Sequence, residues 1–189
     1  MKEKVIDPSE ILIDSEGTIR DKPEIANPWI RFLGRLFDYA WFFLALYAIK
    51  SLLIHKPMKY EGLIPLEYVL WIPVEAFFLW ALGTTPGKWW FRTEIRQGRL
   101  TRLDYVTALR RAFRVWTRGI GLGIPFVNAL CMLVAYHRLK ALKITSWDRD
   151  DHIQVTHLPI SRFRLGLGAF IAIGGVLAYY LLSSNSKIG

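Results

Sequence analysis

Cysteine occurs once, as Cys131, in 189 residues. No disulfide can therefore form within the chain, and no thiolate cluster can hold zinc or iron. Histidine is nearly as scarce, with four. His137, His152 and His157 stand at no metal-ligand spacing, so no metal or other cofactor is expected. Nothing resembles a Ser/His/Asp set or a cysteine with a base beside it, so enzymatic activity is not expected either. The first 28 residues lack the apolar core of a secretory signal and are interrupted by Pro8, Pro23 and Pro28. Insertion into a membrane would then use internal segments. Acid is also in short supply, with 16 Asp and Glu against 25 Lys and Arg, for a formal charge of +9.

What is present points to a bilayer. Apolar residues make up 52% of the chain and Trp occurs eight times, yet the charge remains strongly positive. A small membrane protein with basic loops combines these, because anionic headgroups attract Lys and Arg. Nucleic-acid binding is the other use of a high pI. Here the basic residues flank hydrophobic spans instead of lining one polar domain, and no nucleic-acid partner is expected.

Residues 1–28 read as a cytosolic tail in which Ile11-Leu12-Ile13 forms at most a short strand. Hydrophobic segments follow over 36–54 and 66–82, joined by a short connection that makes them an antiparallel hairpin. The alternating stretch 91–100 reads as a small hairpin. From Tyr105 to Arg118 the pattern is helical. There Arg110, Arg111, Arg114 and Arg118 share one arc, as expected of an interfacial helix with arginines toward lipid phosphate. An apolar run over 120–136 opens with Gly121-Leu122-Gly123-Ile124-Pro125, and a last span, 165–182, carries no charge.

Three segments hold most of the basic residues: six in 1–35, nine in 83–119 and six in 137–164. The positive-inside rule places all three in the cytoplasm. That requires residues 120–136 to turn back instead of crossing. The expected fold is an all-α integral membrane protein with three transmembrane helices, a re-entrant or interfacial helical segment and a small cytoplasmic β-hairpin. Four transmembrane helices are the alternative.

Ionisable residues inside a membrane are functional candidates by default. Asp38 follows Arg35 by three positions and Arg31 by seven, so all three lie near one helical face. They read as an ion pair anchoring the first helix or, more sharply, as a cation or proton site gated by arginine. Glu75 sits about 10 Å deep with Phe43 as its antiparallel counterpart, so no base on the first helix matches it. It is protonated, paired with an arginine from the re-entrant region, or turned to a polar cavity. Lys50 and Glu67 fall at nearly equal depth and read as an outer ion pair. Gly83-Thr84-Thr85-Pro86-Gly87-Lys88 has three residues between its glycines and Trp89 after its lysine. That excludes a Walker A loop, and Lys88 is expected at a lipid phosphate with Trp89 and Trp90 as interfacial anchors. Asp148, Asp150 and Asp151 read as a solvated acidic patch.

Pro28-Trp-Ile-Arg31-Phe-Leu-Gly-Arg35-Leu-Phe-Asp38 resembles the opening of the RDD family, membrane proteins named for one arginine and two aspartates. The turn 83–88 resembles that family's Gly-x-Thr-x-Gly-Lys, Arg110-Arg111 its next arginine position, and Ser146-Trp147-Asp148 the segment of its second aspartate. The resemblance runs from Trp29 to Val155. It implies Arg35 or Arg31 as the arginine, Asp38 as the first aspartate and Asp148 as the second. Arg31, Arg35, Asp38, Lys88, Arg111 and Asp148 are then expected to form one polar network at the mouth of the helical hairpin. The expected domains are a tail (1–28), an RDD-like membrane domain (29–158) and an added C-terminal anchor (159–189).

Some family members are reported as monovalent cation/proton antiporters, and one eukaryotic relative is an accessory subunit. Two functions follow as expectations. One is cation/proton exchange through Asp38 and Glu75. The other is a non-transporting accessory, scaffold or assembly subunit that binds anionic lipid and partner membrane proteins. The expected partners are the anionic bilayer and either a homo-oligomer or another membrane protein. The expected location is the bacterial inner membrane, with the N-terminus cytoplasmic.

Overall fold

The computed structural model describes residues 11–13, 19–21, 24–25, 27–53, 64–97, 102–123, 125–142 and 144–185. Their order is β1 (Ile11–Ile13), β2 (Ile19–Asp21), β3 (Glu24–Ile25), α1 (Pro28–Leu53), α2 (Ile64–Ala81), α3 (Pro86–Trp90) and β4 (Thr93–Gln97). Then come α4 (Tyr105–Arg114), a π-helical turn (Val115–Gly119), a 3-10 turn (Gly121–Gly123), α5 (Pro125–Leu142), α6 (Ser146–Asp150), β5 (Ile153–His157) and α7 (Arg162–Asn185). Two of these helices, Pro28–Leu53 and Arg162–Ser183, are long and apolar enough to cross a membrane.

α1 starts eight residues before the apolar span that marks it in the sequence. Asn27 accepts a hydrogen bond from the Trp29 N–H (3.0 Å), and Pro28 opens the first turn with its φ already helical. Arg31 and Arg35 therefore belong to the helix, one and two turns in. α1 and α2 run antiparallel, with Lys50 beside Glu67 at one end and Arg35 beside Glu75 at the other. Between these ends Tyr39, Phe42 and Phe43 interleave with Tyr68 and Trp71, ring centroids 5.1–5.9 Å apart. That aromatic layer separates the two axes. α1 finds its close backbone neighbour in α7 instead, where a Cβ on Gly175 would come within 2.9 Å of the Ala40 Cβ. α2 packs on α4, with Ala76, Leu79 and Ala108 fully buried in their shared core.

The strand expected within 91–100 is present as β4, but its partner is not a local hairpin arm. β4 pairs antiparallel with β5, Thr93 opposite His157 and Gln97 opposite Ile153, and β5 also pairs with β3. Residues 98–100 lie outside the described residues. Strand pairing over some 60 positions cannot be read from local alternation, because alternation reports which face is buried and not the neighbour. The pairing has a consequence for topology. β3, β4 and β5 come one each from the three basic segments, so those segments meet at one end of the molecule.

The segment between α4 and α6 leaves that end and returns to it. Arg111 before it and Asp148 after it are 3.0 Å apart. The reversal is made by the π-turn and the 3-10 turn, where Leu122 takes a positive φ of 61°.

Candidate functional site

α1, α2, α3, α4 and α6 converge near the sheet, and each delivers charge. α3 is held by its own cap: Thr85 Oγ1 accepts from the Lys88 N–H (3.4 Å), and Pro86 stands in the first turn. α3 crosses α1 so closely that a Cβ on Gly87 would lie 2.0 Å from the Gly34 carbonyl oxygen and 2.9 Å from the Asp38 carboxyl. Only a glycine permits that approach. The contact sets Asp38, 1% exposed, against the turn. Its carboxylate accepts from Thr85 Oγ1 (2.6 Å) and from the Gly87 N–H (2.7 Å), and Lys88 Nζ stands at 3.6 Å.

Glu75 is the hub. Its carboxylate accepts from both terminal nitrogens of Arg35 (3.2 and 3.3 Å), from Lys88 Nζ (3.0 Å) and from Trp71 Nε1 (3.1 Å). Arg111 Nη1 lies 3.5 Å away. Arg111 then turns its Nε and Nη2 to Asp148 Oδ1, both at 3.0 Å. Asp148 also accepts from Thr145 Oγ1 (2.6 Å) and pairs with Arg31.

Asp38 and Asp148 are thus joined through Lys88, Glu75 and Arg111. The structure brings Arg31, Arg35, Asp38, Lys88, Arg111 and Asp148 together, and it adds Glu75 at their centre. Lys50 and Glu67 stand apart at the other end of the hairpin, 3.1 Å from one another, with Tyr179 of α7 hydrogen-bonded to Glu67.

Several expectations need correction. Glu75 is matched from α1 itself, because Arg35 reaches it from two turns nearer the N-terminus than Phe43. Lys88 is 8% exposed and points to carboxylates, not to a lipid phosphate. Arg111, which shares the arginine arc but was expected in the network, is 1% exposed and faces inward. The other arginines of that arc meet protein carboxylates: Arg118 with Asp150 at 2.7 Å, Arg114 with Asp151 at 2.7 Å, and Arg110 more loosely with Asp151 at 3.9 Å. Asp148 and Asp151 are accordingly buried, not part of a solvated patch. Trp89 is 63% exposed, but Trp90 donates to the Arg164 carbonyl and lies under the Arg164 guanidinium.

Trp71, Thr85 and Thr145 were not singled out in the sequence. Thr85 had a legible signal as the cap before Pro86, whereas Trp71 and Thr145 carry none.

The charged groups outside the apolar spans respond as their surroundings dictate. Burial alone would raise the Asp148 carboxyl, but the Arg31 and Arg111 guanidiniums and the Thr145 hydroxyl outweigh it and hold it at about 2. Burial lowers the Lys88 amine, against the opposing pull of Glu75 and Asp38. At the surface, the hydrogen bond from Arg118 lowers Asp150.

Beside the network lies a cavity of about 860 Å³ between the N-terminal half of α1, α5 and the π-turn. Arg31, Arg35, Lys88 and Arg111 line it, and no carboxylate does. Among the described residues no group of His, Cys, Asp and Glu could hold a metal ion.

The family model described as RDD family matches residues 25–187. That match runs through α7, the helix expected as an added anchor. No curated protein and no solved structure matches the chain.

Proposed function

Because this chain belongs to the RDD family of membrane proteins, we propose that it acts as a membrane-embedded scaffold or accessory subunit and not as a cation/proton exchanger. One observation carries the choice: every carboxylate of the network is already engaged by fixed protein cations and donors. A proton or alkali-metal carrier must give up its ligand cheaply and take another. Protonating Glu75 would leave Arg35, Lys88 and Arg111 facing each other within one buried site, at a cost of several kcal/mol.

The cavity supports the same choice. Its charged lining is entirely basic, which repels Na⁺ or K⁺ in a medium of low dielectric. The network instead ties five helices into one body. Outside it, Phe126, Leu130, Phe163 and Phe170 present exposed apolar surface to lipid or to helices of a partner protein.

The experiment is proton flux in proteoliposomes holding the purified protein, with Na⁺, K⁺ or Li⁺ added against an imposed pH gradient. Asp38→Asn and Glu75→Gln run beside the wild type. The expected trace is flat for all three cations. Cation-dependent dissipation by the wild type that vanishes in Glu75→Gln would make exchange the function.

A further inference from the structure

The network carries an imbalance. Arg31, Arg35, Lys88 and Arg111 bring four positive charges, and Asp38, Glu75 and Asp148 bring three negative ones. The excess of one falls on the cavity side, because all four cations line the cavity while the carboxylates stand behind them. Arg111 shows it at atomic level. It is 1% exposed, it lines the cavity, and its Nη1, 3.5 Å from Glu75 Oε1, completes no hydrogen bond. A buried guanidinium normally satisfies its whole fork of donors.

Apart from these cations the walls are mostly apolar and aromatic, and they are open between two helices. Trp29 and Phe32 of α1 and Met132 and Leu133 of α5 all line the cavity, yet they are 63%, 38%, 39% and 57% exposed. The gap between α1 and α5 is therefore a side opening edged with apolar groups. Trp29 and Tyr136 meet across it, ring centroids 6.0 Å apart. In a membrane protein such an opening faces hydrocarbon, and Trp and Tyr at its edge fit the headgroup level.

From these features we infer that the cavity binds one anionic phospholipid, its phosphate diester on Arg31 and Arg35, the more exposed cations of the wall, and its acyl chains leaving between α1 and α5. A diester carries the single negative charge that the network lacks. Its non-bridging oxygens accept from guanidinium with the planar geometry that favours Arg. The volume is that of an ordinary ligand pocket, large enough for a headgroup and the first part of its chains. The site is separate from the outward arginines of α4, which protein carboxylates already engage, and it holds whether or not the protein moves ions.

The test is lipid retention. Purified protein is stripped in detergent and offered phosphatidylglycerol, phosphatidylcholine, oleate or glycerol phosphate, each alone and in competition, and the lipid bound to the intact protein is counted by native mass spectrometry. The expected result is one phosphatidylglycerol per chain, favoured over phosphatidylcholine by roughly tenfold or more. Glycerol phosphate, with the charge but no chains, should not compete. Ala135→Trp fills the cavity from α5 without touching the network and should abolish retention while leaving the melting temperature unchanged. Leu133→Trp serves if that variant does not fold.

Equal retention of the two phospholipids would overturn the inference. So would displacement of phosphatidylglycerol by oleate at matching concentration, or undiminished retention by a folded cavity-filling variant. The wild-type selectivity needs no variant at all, and a positive flux result would leave it untouched.

Discussion

Two ion pairs join the same two parts of this molecule, the α4–π helix and α6. Arg118 meets Asp150 at 2.7 Å and Arg111 meets Asp148 at 3.0 Å. Judged by distance, the first is the stronger. Their surroundings reverse the order. The side chains of Arg118 and Asp150 are 51% and 30% exposed, so water and salt already serve both charges. Those of Arg111 and Asp148 are 2% and 1% exposed, and neither charge has another solvent. Removing one partner of a buried pair leaves an ion stranded, whereas removing one partner of an exposed pair leaves an ordinary surface side chain. Burial, not distance, separates a group that holds the fold from one that decorates it.

Arg111→Ala should give the largest effect. It leaves Asp148 with only Arg31 and the Thr145 hydroxyl, and Glu75 short of one cation. Breaking a buried pair in this way costs about 3–5 kcal/mol. Loss of cooperative melting in detergent, or little protein recovered from the membrane, is the expected result. A melting temperature close to wild type would mean that the network is incidental to stability.

Gly87→Ala sharpens the comparison by disturbing the network without changing any charge. The new Cβ would have to lie 2.0 Å from the Gly34 carbonyl oxygen, so α3 must move away from α1. Asp38 would then lose the Gly87 N–H and its short bond to Thr85. Overpacking at such a contact costs about 1–3 kcal/mol. Thermal unfolding of the variant beside Asp38→Asn reads it, and the two effects should be far from additive because they break the same bonds.

Acid provides a third way to separate the buried pair from the exposed one. The Asp148 carboxyl ordinarily titrates at 3.8 and is held at about 2 in the fold. Its folded value is depressed, so its contribution is full above about pH 4 and is lost as the pH falls toward 2. That shift corresponds to about 2 kcal/mol. A melting curve followed through this window should fall more steeply for wild type than for Asp148→Asn, which starts lower and has nothing there to titrate.

How much of this was legible beforehand depended on whether the determinant was local. The long helices were, since their apolar runs announce themselves; the short helices Pro86–Trp90 and Ser146–Asp150 were not. The gathering of the three basic segments at one end followed from their charge, and the sheet places one strand of each side by side. The partner of Glu75 was not legible, for a physical reason. Counting equal rises from the connecting loop put Phe43 opposite, but the real partner is Arg35, two turns nearer the N-terminus of α1, at the edge of the aromatic layer beside Tyr39. The inward turn of Arg111 was expected from its place in the network, but not from the helical pattern. A helical wheel groups the four arginines on one arc, and only the packing of α4 on α2, with Ala108 and Ala112 buried, shows that one edge of the arc faces the core.

The smallest effect is expected at the pair that looks best by distance. Arg118→Ala removes a 2.7 Å contact to Asp150, but Asp150 is then simply hydrated, and its carboxyl rises back toward its usual value. Exposed pairs of this kind contribute little. The variant should melt within a degree or two of wild type, and raising the salt concentration should erase even that difference, since screening acts on exposed charges first. Salt should leave the deficit of Arg111→Ala nearly unchanged. If salt closed both gaps equally, the network would be open to solvent, and the stranded-ion account of the buried pair would fail with it.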